Sequence, residues 1–357
     1  MSGVNKNPDQ ISPIYKNIDS LKGVAIIIVL TYHTGLYESK ETLFGIFRLT
    51  HLIYSDLIFL GVPLFFLISM FLFSLKLRED RSYFIPRLKT LIYSYIFWVT
   101  LWILIHYGGF KIINLLLTLP LKKLFYFLSG EGIGIFYFHF SLILLLIISY
   151  LSISFPRPII FLLLLISVMY IFILPFIKLS EDPFFASFWS PFNFFPYAFI
   201  GLLLSEYIQS KHFSLKHIKM IILFLTIPFL LFVAQEWYCH LRGIYQITEY
   251  PYMRASVIFG ASILFIASFL LKRRIMLLER ISDYAMGIYC LQLFAINAYW
   301  TIVNFNQNSI ITILLGPCNS ASRFGPCQGG IRYSLFIFVI CLIGTIFLKK
   351  VFSKKII

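Results

Sequence analysis

The sequence predicts an all-α fold: a polytopic transmembrane helical bundle of about ten helices with both termini cytoplasmic. Three observations carry that prediction. Apolar residues make up 59% of the 357 positions and charged residues 13%, whereas a soluble domain carries about a quarter charged residues. The apolar residues fall in runs of about twenty, the length one helix needs to cross the hydrocarbon core. Lysine and arginine gather in short clusters between those runs, which is how orientation signals are placed. The formal charge of +15 is accounted for by those clusters, so nucleic acid is not expected as a partner; membrane lipids are.

Taken in order, residues 1–17 are polar with Pro8 and Pro13 and read as a cytoplasmic tail. The first span is expected over Ile18–Tyr37 and the second over Leu52–Leu77. Further spans follow near Leu88–Tyr107, Ile133–Ser152, Ile159–Ile177, Phe188–Ile208 and Ile218–Trp237. The last three are Tyr252–Leu271, Tyr284–Phe305 and Tyr333–Val351. Phe110–Leu128 is apolar but contains Pro120, Lys122 and Lys123, so it reads as an interfacial or re-entrant segment. The transmembrane domain therefore occupies 18–352, with a basic cytoplasmic tail at 353–357. Nothing has the form of a cleavable signal peptide, and an uncleaved first helix is expected to insert the chain.

Orientation follows from the basic clusters. Lys76, Arg78, Arg81, Arg87 and Lys89 follow the second span; Lys211, Lys216 and Lys219 follow the sixth; Lys272, Arg273, Arg274 and Arg280 follow the eighth. Lys349, Lys350, Lys354 and Lys355 close the chain. With ten crossings all of these fall on one side, the cytoplasmic one by the positive-inside rule.

The first span carries the chemistry. Lys22 and His33 stand eleven residues apart, which places them on nearly one face of a helix and about 16 Å apart along its axis. A titratable ring at that depth is costly in hydrocarbon and marks a polar path; the plainer alternative is a histidine hydrogen-bonded between packed helices. His139 in the fourth span lies at a similar depth, where it either positions substrate or bonds a backbone carbonyl. His33 has no acidic partner at i±3 or i±4 on its own helix, and Glu131 and Glu236, at expected outer helix ends, are the distant candidates. The five cysteines are too few and too scattered for a disulfide scaffold or a zinc site, and no metal is expected. Cys239, Cys318 and Cys327 fall in expected outer loops, where the last two, in echoing Gly-Pro-Cys contexts, are placed to form a bridge.

Asp19, Lys22, Gly23, Ala25 and His33 together resemble the opening of the acyltransferase 3 family, multispanning membrane O-acyltransferases whose first helix bears an Arg-x10-His motif; lysine replaces the arginine here. Gly61–Phe73 resembles the family's second-helix segment, with Met70 where a glycine is common. The region beginning Gly132-Ile133-Gly134 resembles its fourth-helix region, and Pro191–Tyr207 a familial aromatic helix. Leu278–Phe294 resembles its closing signature, with Gly287, Ile288 and Tyr289 retained and Gln292 in place of a histidine. Thr90 departs from a usual arginine run.

The resemblance implies acyl transfer from cytosolic acyl-CoA, with acetyl-CoA as the usual donor substrate and no tightly bound cofactor, to a hydroxyl of a surface polysaccharide, lipid-linked oligosaccharide or exported glycan. It also implies a bacterial cell membrane. Moving an acyl group to a hydroxyl requires a base for the hydroxyl proton, and histidine has the pKa range for that task; His33 is the candidate. Phosphates of the donor require cations that hold geometry, and Lys22, Arg81, Arg87 and Lys89 are the candidates. His139 and Gln292 are candidate substrate contacts; glutamine hydrogen-bonds but exchanges no proton at neutral pH. A rival reading is an exporter of polysaccharide or lipid-linked precursors without acyl-transfer chemistry.

Overall fold

The computed structural model describes residues 8–34, 56–108, 118–174, 183–210, 214–244, 251–271, 275–305 and 331–352. Ten helices of fourteen residues or more lie within them. They are α1 (Pro8–His33), α2 (Gly61–Glu79), α3 (Phe84–Ile103), α4 (Tyr137–Ser152) and α5 (Arg157–Ile173). Next come α6 (Phe195–Gln209), α7 (Leu215–Leu241), α8 (Ala255–Ser268), α9 (Ala285–Phe305) and α10 (Ile331–Val351). No strand occurs among the described residues.

Six segments, those built on α2, α3, α4, α7, α9 and α10, are long and apolar enough to cross a membrane, and α5 and α8 are shorter apolar helices. The chain is a multipass membrane protein. Among the described residues helical backbone is present from Pro8 onward, ten residues before the expected start of the span. The described part of Phe110–Leu128 contains a helix of six residues, Leu121–Tyr126, leading into a π turn, which is too short to cross. Cys239 lies inside α7, buried as a free thiol, and not in a loop; Cys318 and Cys327 lie outside the described residues.

The bundle is organised around α2, which packs against α1, α4, α6 and α8. Its apolar window is 83% buried, against 6% for that of α7, so α2 is enclosed by protein while α7 presents its apolar surface outward, as a lipid-facing helix does. Close approach depends on glycine at two places. A Cβ on Gly201 of α6 would meet the backbone of Met70 and Phe71 at 2.9 Å, so Gly201 lets α6 lie directly against the backbone of α2. A Cβ on Gly23 would come within 2.3 Å of the Leu278 carbonyl, so this glycine lets α1 lie against the short helix Met276–Ser282. Small residues at helix contacts are the usual means of dense packing where lipid supplies no hydrophobic drive.

The structure gathers the start of α3 and α9 and the end of α2, α6 and α10 at one end, which we call the basic end. There Arg78 and Arg157 both bond Glu206, Lys349 donates to the Asp283 carbonyl, and Asn17 donates to the Leu271 carbonyl at 2.8 Å. The far end holds His33 and Thr34, whose hydroxyl meets that of Ser334 at 2.7 Å.

Candidate functional site

A cavity of about 440 Å³ opens at the basic end between α1, α2, α3, α4 and α9. Each wall is a helical stripe. From α3 come Arg87, Thr90, Leu91 and Ser94, and from α2 come Phe65, Ile68, Ser69, Leu72, Phe73 and Lys76; both sets follow the i, i+3, i+4, i+7 spacing of one helix face. Asp19 and Lys22 from α1 complete the mouth together with Tyr83. Lys22, Lys76 and Arg87 set three cations against one carboxylate there. Lys22 interacts electrostatically with Asp19, Arg87, Asp283 and Lys349, and Lys76 lies over the Tyr83 ring with its nitrogen 5.0 Å from the centroid. Thr90 donates back to the Pro86 carbonyl at 2.9 Å.

The cavity reaches inward to Ser94, Phe138 and Tyr289. Ser94 Oγ stands 3.4 Å from Nε2 of the fully buried His139, whose Nδ1 has no hydrogen-bond partner; Cys290 Sγ is 4.0 Å from the same Nε2. Phe65, Phe138 and Tyr289 close the deep end, and the Tyr289 hydroxyl donates to the Ile135 carbonyl at 2.8 Å.

Beyond these rings, on the far side, lies His33. Its Nδ1 is 3.0 Å from the Val29 carbonyl. A carbonyl oxygen only accepts, so Nδ1 carries the proton of the neutral ring and Nε2 is left with its lone pair. Tyr32 packs edge-on at 5.0 Å between centroids. Gln292, fully buried on α9, is the polar side chain that approaches the ring, but neither of its amide atoms makes a hydrogen bond of good geometry. The ring is thus oriented by its own helix and faces an unsatisfied amide.

The structure brings together some of the sequence-derived candidates and separates others. Lys22 and Arg87 line the cavity mouth. Arg81 instead donates to Ser154 Oγ at 2.9 Å, Arg78 is held by Glu206 and Ser205, and Lys89 is exposed; none of the three lines the cavity. Two residues along a helix turn the direction by about 200°, so Arg87 and Lys89 cannot share a face. The same geometry would have found Thr90 and Ser94, three and seven residues after Arg87. His139 engages Ser94 and Cys290 and not His33. Glu131 is exposed, and Glu236 belongs to another cluster.

That cluster sits at the far end. Arg254, 1% exposed, donates through Nε to Glu236 at 2.9 Å and through Nη2 to Asp56. Asp56 also accepts from Trp237 Nε1 at 2.8 Å, and Glu236 from the Ser256 backbone at 3.1 Å. It ties the beginning of α8 to α7 and to the segment before α2.

The model of the Acyl_transf_3 family, described as an acyltransferase domain, matches residues 15–350. No curated protein sequence and no solved structure matches the chain significantly.

Proposed function

The chain belongs to the acyltransferase 3 family, and from that premise we propose that it is an O-acyltransferase of the bacterial cell membrane, moving an acetyl group from cytosolic acetyl-CoA to a hydroxyl of a cell-surface or exported glycan. The observation that carries this reading is the cavity itself: an excess of cations at its mouth, on the side assigned to the cytosol by the basic clusters, and a deep end closed by Tyr289, one helical turn before Gln292, the side chain that approaches His33. Lys22 and Arg87, aided by Lys76, hold the donor's phosphates by charge-assisted hydrogen bonds. The thioester arm runs inward past Thr90 and Ser94, with His139 behind Ser94 at the deep end. Arg81 and Lys89 contribute to the surrounding field and to orientation in the membrane.

In the transfer step His33 Nε2 takes the proton of the acceptor hydroxyl as the oxygen attacks the thioester carbonyl. The new C–O bond forms, the C–S bond breaks, and the thiolate leaves toward the basic end, taking up one proton from water there while the His33 imidazolium returns one proton to water, so the base is regenerated. The Val29 carbonyl steadies the imidazolium, and Gln292 is placed to hold the acceptor or the developing oxyanion without exchanging a proton. Labelled acetyl-CoA supplied to membranes containing the protein and its glycan acceptor tests the assignment. His33→Ala is expected to lower transfer by about 10²- to 10⁴-fold, the usual contribution of a general base, with membrane insertion unchanged. Turnover of the variant at the wild-type rate removes His33 from the reaction, and glycan appearing outside without acetyl-CoA consumption assigns the protein to export.

A further inference from the structure

We infer that Phe65, Phe138 and Tyr289 form a size filter that restricts the donor to short acyl groups. The inference rests on the acyl-CoA reading above and specifies which acyl chains that site takes. The three rings touch one another: centroids are 5.1 Å apart for Phe138 and Tyr289, 6.1 Å for Phe65 and Phe138, and 6.5 Å for Phe65 and Tyr289. All three line the cavity at its deep end.

They also stand between the cavity and His33. Tyr289 lies three residues before Gln292 on α9, about 4.5 Å along the axis, and Gln292 is the residue that approaches the His33 ring. An acyl carbonyl entering from the basic end therefore meets the ring layer one helical turn before it meets the base. The layer is backed by further rings, which limit how far it can retreat. Phe66 packs on Phe138 at 4.6 Å, and Phe194 stacks on Phe66 at 4.3 Å. The Tyr289 hydroxyl is fixed to the Ile135 carbonyl. Phe138 and Tyr289 are 1% and 2% exposed.

A two-carbon acyl group needs only the gap that a small ring displacement opens. Each further methylene must be fitted against a close-packed wall, and a pocket of this kind discriminates by about 10- to 200-fold per methylene. Truncating a ring removes the obstruction without touching the cations at the mouth or His33.

The test uses the full-length protein in membranes with acetyl-, propionyl-, butyryl- and hexanoyl-CoA, comparing wild type with Phe65→Ala and the milder Phe138→Leu. The readout is the ratio of butyryl to acetyl transfer, which does not depend on how much protein folds. Wild type is expected to disfavour butyryl, two methylenes longer than acetyl, by about 100-fold or more, and each truncation to raise the ratio at least several-fold, Phe65→Ala the more. Wild-type transfer with unchanged ratios in both variants overturns the filter and leaves the acyl-transfer reading standing. A wild type that transfers none of the four overturns that reading and the filter with it.

Discussion

The far-end cluster and the cavity mouth each set cations beside carboxylates, and they use them in opposite ways. At the far end Arg254 is buried and bonded by Asp56 and Glu236, with Trp237 and Ser256 filling further acceptor positions. At the basic end Lys22, Lys76 and Arg87 outnumber Asp19 and border open space. A buried cation paired with two carboxylates holds helices in place, because separating the charges leaves one of them uncompensated. Cations in excess around a cavity keep their donors available for an anionic ligand. Charge balance and room, more than the presence of arginine, separate scaffold from site.

The largest expected effect that sharpens this contrast is on stability. Arg254→Ala strands two buried carboxylates and should destabilise the protein by about 3–5 kcal/mol, read as a marked fall in the temperature at which the detergent-solubilised protein loses its monodisperse peak. Combining Arg254→Met with Asp56→Asn and Glu236→Gln removes all three charges and should restore much of that loss. If the single variant is as stable as wild type, the far-end cluster is not a scaffold.

Next comes a functional effect without a stability one. Lys22→Ala should leave the melting behaviour near that of wild type and raise KM for acetyl-CoA by about 10- to 100-fold, the equivalent of one hydrogen bond to a charged group. Ionic strength separates the two ends further. Raising salt should weaken donor binding at the partly exposed mouth, since surface charges are screened beyond about 8–10 Å at physiological strength. It should leave the Arg254 contribution to stability almost untouched, so equal salt sensitivity at both ends breaks the comparison. The smallest effect is Lys89→Ala, expected to change KM by less than about twofold because the side chain lies on the solvent side of α3 and exposed charges contribute little.

Much of this was legible in the sequence. Run length and composition placed all ten long helices, with some ends displaced. The helical offset between Lys22 and His33 placed the cation at the basic end and the ring at the far end. The candidate donor site was only half legible. Arg81 and Lys89 stand in the same basic cluster as Arg87, and orientation in the membrane demands such a cluster whatever its side chains touch. Only the phase of α3 separates them. The far-end cluster was invisible because Asp56, Glu236 and Arg254 lie up to 198 residues apart, and no local spacing relates them. Gly201 shows a third case, in which the absence of a side chain in one helix admits the backbone of another far away in sequence.

The most direct test of the account is calorimetric titration of CoA into purified full-length protein, comparing wild type, Arg87→Ala and Arg81→Ala. The two arginines stand six residues apart in one basic stretch, but only Arg87 borders the cavity. The account predicts that Arg87→Ala weakens binding about tenfold or more while Arg81→Ala stays within about twofold. Equal loss in both variants, or none in Arg87→Ala, contradicts it.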